Sequence, residues 1–179
     1  MRGGYRAIAA ALCAALILAP AACGEEESTH VVEGEPIELG HLEINVQLTR
    51  FLNPTDAEDS EYLEGQQAAP AGEDYLAVFT RVENTGDETV RLPAATDFDV
   101  VDTSGAKFEA LPSNSVFALP LGEELGGGKE VPGPDTAAAS GPIQGSFVLF
   151  LLDTSAAENR PLELEITADG EKGTVELDI

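Results

Sequence analysis

Three observations in the sequence predict an all-β protein, an antiparallel β-sandwich of about seven to eight strands. Apolar and polar residues alternate at period two through much of the chain after residue 39. Gly, Pro, Asn and Asp break these runs at short intervals. No stretch of ten or more residues carries the 3.6-residue apolar period of an amphipathic helix. Period two places alternate side chains on opposite faces of a strand, one dry and one wet. Short strands of this kind with frequent turn signals stack as two sheets.

Taken in order, Leu42, Ile44, Val46 and Leu48 alternate with Glu43, Asn45, Gln47 and Thr49, a half-buried strand. Tyr75 to Glu83, YLAVFTRVE, is more continuously apolar and belongs in the middle of a sheet. Asn84-Thr85-Gly86-Asp87 turns the chain, with Asn suited to an Asx-turn and Gly to a positive φ. Phe98, Val100 and Val101 mark a strand, and Asp102-Thr103-Ser104-Gly105 returns it to Lys107-Phe108. Phe147 to Leu152 is an apolar run of buried-strand length. Leu162, Leu164 and Ile166, then Val175, Leu177 and Ile179, alternate with acidic residues about a turn at Asp169-Gly170. All seven phenylalanines fall in or beside these segments, as core residues should. With no Trp and no cysteine pair in the domain, any immunoglobulin likeness is one of architecture.

The N-terminus divides the chain into a signal over 1–22, an acidic tether over 23–36 and the sandwich over 37–179. Arg2 and Arg6 precede an apolar, small-residue run from Ala7 to Ala22, and polarity returns at Gly24. Sixteen residues that include Pro20 are short for a membrane span, which needs about 20. They match the basic, apolar and small-residue parts of a secretory signal. Cys13 leaves with the signal, so Cys23 is the one cysteine of the exported chain and has no partner for a disulfide. A zinc site needs four ligands, and only His30 and His41 could add nitrogen. Ala21-Ala22-Cys23-Gly24 resembles the lipobox of bacterial lipoproteins, whose cysteine sulfur takes a diacylglyceryl group; the position three before the cysteine is Pro20 where that family prefers Leu, Val or Ile. The resemblance implies lipidation at Cys23 and a protein held on the outer face of the cell membrane, since two acyl chains anchor stably. Ala19-Pro20-Ala21 also fits ordinary signal cleavage, which would release a soluble protein beginning before Cys23. The following GEEESTHVVEGEP is too polar to order itself, and His30 within it reads as solvated.

Asp74 to Leu92, DYLAVFTRVENTGDETVRL, has a long apolar strand followed by an Asn-Thr-Gly-Asp turn. FDVVDTSGAKFE follows with a strand and an Asp-x-x-Gly hairpin, and Val131-Pro132-Gly133 leads to the apolar Phe147-Val148-Leu149-Phe150. These segments resemble a bacterial family of immunoglobulin-like exported domains related to a small secreted mycobacterial antigen with a telokin-like sandwich. The resemblance covers roughly residues 39 to 179. It implies the sandwich fold and a lipoprotein or secreted location, and it supplies no catalytic residues.

Charge and motifs narrow the chemistry. Thirty-three acidic residues stand against nine basic ones. Arg2 and Arg6 precede Cys23 and no acidic residue does, so the exported chain carries 7 against 33. Such a surface repels nucleic-acid phosphates and leaves an envelope protein or a small molecule as the expected partner. The 53–73 connection holds Asp56, Glu58, Asp59, Glu61, Glu64 and Glu73, a candidate Ca²⁺ loop, although it lacks the ligand spacing and glycine of an EF-hand. LGGGKE in the 120–142 connection fails the phosphate-loop pattern at Glu123 and Glu130, which leaves it a flexible loop. Asp102-Thr103-Ser104-Gly105 occurs once and reads as a turn. A serine triad would require His41, which sits on the expected wet face, and copper chemistry lacks soft ligands beyond Met1. The sequence therefore reads as a non-enzymatic recognition domain with no cofactor, catalytic residue or metal ligand.

Overall fold

A computed structural model describes residues 29–179. Cys23 and the 1–22 signal lie outside these residues. Twelve strands form: β1 (Thr29–Val32), β2 (Pro36–Leu39), β3 (Leu42–Phe51), β4 (Glu73–Asn84), β5 (Val90–Arg91), β6 (Phe98–Val101), β7 (Lys107–Leu111), β8 (Glu124–Leu125), β9 (Glu130–Val131), β10 (Ser146–Asp153), β11 (Leu162–Ala168) and β12 (Glu171–Leu177). Two short helices, α1 (Ala57–Tyr62) and α2 (Ala137–Ser140), complete the elements used below. Among the described residues no helix is long and apolar enough to cross a membrane.

The strands expected from periodicity are β3, β4, β6, β7, β10, β11 and β12, all in place. Two further strands, β1 and β2, precede these, and β1 lies within the expected 23–36 tether. Thr29–Val32 pairs in parallel with β12, from Thr29↔Gly173 to Val32↔Glu176. Four residues at a sheet edge, mostly exposed, show no apolar period, so their order comes from the partner strand rather than from their own pattern. Strands β5, β8 and β9, two residues each, are also too short to leave a periodic trace.

One continuous sheet, ordered β1-β12-β11-β6-β7-β10-β4-β3-β2, folds over to make both layers. The fold falls on β7, which pairs with β6 through Lys107–Glu109 and with β10 through Ala110–Leu111. Apart from β1 with β12, the strand pairs are antiparallel. Between the layers lie Ile44, Val78, Phe98, Phe150, Leu164 and Val175, each no more than 1 % exposed.

Strands β4 and β10 pair over eight residues, from Ser146↔Thr80 to Asp153↔Glu73, and are apolar on both faces. Their second face carries Ala77, Phe79, Phe147 and Leu149 into a separate core under α1. Tyr62 anchors that helix, its ring edge-on to Phe79 at 5.1 Å, Phe117 at 5.2 Å and Phe147 at 5.6 Å. A buried aromatic contributes about 1.5–3 kcal/mol, so this one side chain supplies much of the helix's adhesion.

The expected turn after β6 is built on Asp102. Its Oδ1 accepts from the Ser104 amide at 2.8 Å, the Ser104 hydroxyl at 2.6 Å and the Ala106 amide at 3.0 Å, and Oδ2 accepts from Asn159 Nδ2 at 3.0 Å. Gly105 takes φ +85, as the turn requires. These bonds, the Ser104 hydroxyl's foremost, hold the Asp102 carboxyl below the usual carboxylate range against the opposing effect of burial. A lowered folded-state pKa gives stability that is present above the unfolded value, near 4, and lost as pH falls through the folded value. The urea midpoint of Asp102→Asn should therefore lie below wild type at pH 7, with the gap closing toward pH 3. A gap independent of pH would contradict this role.

Candidate functional site

Two tight hairpins from opposite layers meet at one end of the sandwich. Leu39↔Leu42 closes β2 onto β3 with Gly40-His41 between them, and Ala168↔Glu171 closes β11 onto β12 with Asp169-Gly170. Asp169 at φ +50 and Gly170 at φ +83 are both left-handed, the geometry that two-residue hairpins demand and Asp-Gly supplies. Gly40 is left-handed as well, at φ +62, and a Cβ there would overlap the Asp169 carboxylate. That missing Cβ lets Asp169 Oδ2 reach His41 Nδ1 at 2.8 Å, linking the layers.

The β4–β5 connection forms a third wall. Asn84 is fully buried; its Oδ1 accepts from the Gly86 amide at 3.0 Å, the expected Asx-turn. Its Nδ2 donates to the Glu88 carbonyl at 2.7 Å and the Leu125 carbonyl at 2.9 Å, so one side chain fixes two loops. Gly86 does not take the positive φ expected of it. It is needed for closeness: a Cβ would stand 2.9 Å from His41 Cδ2. The LGGGKE stretch, expected as a flexible loop, is instead folded against this turn. Gly127 lies where a Cβ would overlap the Asp87 backbone, and the Gly128 amide donates to the Asn84 carbonyl at 3.0 Å and the Gly86 carbonyl at 3.1 Å.

Together these walls enclose a groove of about 900 Å³ with Val90, Leu92, Pro93 and Ala168 among its apolar lining. Asp87, Glu88, Arg91 and the His41–Asp169 pair supply its charge. Asp97, also lining it, is occupied by the Ala94 amide at 2.8 Å. An apolar floor with a few charged groups suits a ligand of mixed polarity. The His41 ring meets a carboxylate, and the nearby Thr85 hydroxyl donates at 3.1 Å to the His41 carbonyl instead of the ring. That is not the base–hydroxyl pairing a serine- or threonine-dependent hydrolase needs.

The acidic 53–73 connection lies elsewhere, and three of its carboxylates serve the fold. Asp56 caps α1, accepting from the Glu58 amide at 2.9 Å and the Asp59 amide at 3.3 Å. Asp59 accepts from Arg50 and, at 2.8 Å, from the Asn53 amide, while Arg50 reaches Glu58 at 2.9 Å. Burial first, and then the Glu58 carboxylate, push the neighbouring Tyr62 hydroxyl up to about 12. Among the described residues no group of three or more His, Cys, Asp or Glu side chains is placed to hold a metal ion. His30 is exposed on β1. The hairpin meeting could not be found from sequence, because His41 and Asp169 are 128 residues apart.

No family model and no curated protein matches the chain. Solved structures do. An uncharacterized β-sandwich protein from Clostridium difficile superposes with a TM-score of 0.53 at 18 % identity, over 86 % of this chain and 97 % of that one. The Bacillus subtilis protein ycdA, a candidate lipoprotein, gives 0.51 at 14 % identity, over 82 % of this chain and 38 % of that one. A secreted Mycobacterium tuberculosis protein, MPT63, gives 0.46 at 13 % identity, over 83 % of this chain and 97 % of that one. The first two likenesses establish the class: this chain has the β-sandwich fold of bacterial proteins.

Two substitutions test how the site is held. Gly40→Ala should cost at least the roughly 1–2 kcal/mol of a left-handed non-glycine residue, with the carboxylate overlap in addition. Asp169→Asn keeps a residue tolerant of positive φ and removes only an exposed pair, so its cost should stay below about 1 kcal/mol. Urea denaturation separates the two, and equal losses would contradict the close-approach role of Gly40. Under α1, Arg50→Met leaves Asp59 with one charged-group hydrogen bond fewer, and should cost about 1.5–3 kcal/mol by the same measurement.

Proposed function

We propose that this protein is a non-enzymatic, lipid-anchored envelope protein. On this reading it is exported, joined to the outer face of the cell membrane through Cys23, and recognises an envelope protein or small molecule through the groove at the hairpin end. The observation that carries the reading is the N-terminal succession of basic start, apolar run and Ala21-Ala22-Cys23-Gly24. A single exported cysteine just after a signal has a chemical use in thioether formation with a diacylglyceryl group, and two acyl chains bind a bilayer stably. The sandwich supports the recognition role by holding three loops rigidly around an open groove. A soluble secreted form would need cleavage ahead of Cys23, leaving its thiol free.

Cells expressing the wild-type protein should incorporate labelled fatty acid into it, and the protein should enter the detergent phase. Cys23→Ser should do neither. Equal labelling of the two proteins, or none of either, would overturn the anchor.

A further inference from the structure

The direction in which the chain enters the sandwich fixes which end meets the lipid. Thr29 stands opposite Gly173, close to the Asp169-Gly170 turn, and β1 runs away from that turn in parallel with β12. The tether therefore arrives at the end that carries the His41–Asp169 contact and the groove. Five residues lie between Cys23 and Thr29, and the six steps at 3.3–3.6 Å each reach at most about 22 Å. The twelve residues of β4 span roughly 40 Å at the strand rise. A domain held by so short a lead keeps its Thr29 end close to the bilayer, and the Asp102–Gly105 and 154–161 turns lie at the far end of its strands.

Both ends of the sandwich carry carboxylates. Arg50, Arg81 and Lys107 pair with carboxylates. Among the described residues Arg91, Lys129, Arg160 and Lys172 have no carboxylate partner, and all but Arg160 lie at the Thr29 end. These three share it with Glu43, Glu83, Asp87, Glu88, Glu124 and Glu171 as well as Asp169, so that end too carries more carboxylates than cations. The far end carries Glu73, Asp74, Asp153, Glu158 and Asp178 beside Arg160. Net charge therefore does not separate the two ends, and the orientation follows from where the chain enters the sandwich.

We propose that the groove end of the sandwich is its membrane-facing surface, apposed to lipid headgroups, and that the opposite end is presented outward. A partner entering the groove is then met at the lipid surface. This rests on lipidation of Cys23 and is tested so that the two can fail separately.

Single cysteines placed by Thr89→Cys and Glu171→Cys near the groove, and by Thr103→Cys and Glu158→Cys at the far end, would each carry a donor fluorophore. The lipidated proteins would be reconstituted on phosphatidylcholine vesicles bearing an acceptor on the headgroup. Energy transfer from positions 89 and 171 should exceed that from 103 and 158 at least twofold. Equal or reversed transfer from protein that floats with the vesicles overturns the orientation while leaving the anchor intact. Protein without the added cysteine should float and resist maleimide; if it labels at Cys23 and stays in solution, anchor and orientation fall together.

Discussion

A pair of strands that is apolar on both faces cannot stand against water, and β4 with β10 is such a pair. Leu76, Val78 and Phe150 point into the space between the layers, while Ala77, Phe79, Phe147 and Leu149 point the other way. The first set requires the second layer of the sandwich. The second set requires a lid, which α1 and Phe117-Ala118 provide. The Arg50–Asp59–Glu58 cluster follows from the same need, because a six-residue helix has too few side chains to hold itself on a sheet. Acidic residues that might have been ligands are thereby turned into fasteners.

The other organising constraint is steric. At the hairpin end three glycines act by what they lack. Gly40 admits the Asp169 carboxylate, Gly86 admits the His41 ring, and Gly127 admits the Asp87 backbone. Only Gly40 of the three also needs a left-handed backbone. The groove is thus the space left where loops from both layers are drawn together at glycine contacts, with buried Asn84 tying two of the loops by three hydrogen bonds.

Much of the fold was legible because burial imposes period. The alternation of Leu162, Leu164 and Ile166 with Glu163 and Glu165 is a direct record of a sheet with one wet face, and Asp169-Gly170 announced its own hairpin. YLAVF and FVLFLL announced central strands, but their composition could not say what would cover the second face, since Tyr62 is one aromatic in a polar loop. The candidate site was legible only in parts. Asn84 is recognisable as a turn former, whereas nothing local signals that Gly86 is needed for proximity to the His41 ring. Contacts such as His41 with Asp169 depend on how two distant turns are stacked, and no local pattern encodes that.

The pairing of β1 with β12 has a consequence for how the molecule is made. The first strand of the domain finds its partner in the last, so Thr29 waits for Gly173. For a chain exported N-terminus first, as proposed here, that layer cannot be completed until almost the whole polypeptide has crossed. Pairings between such distant segments are slow to form because the intervening chain must first be gathered. Whatever the route, the β1–β12 pairing is among the last contacts the chain can make, since it needs the C-terminal hairpin in place.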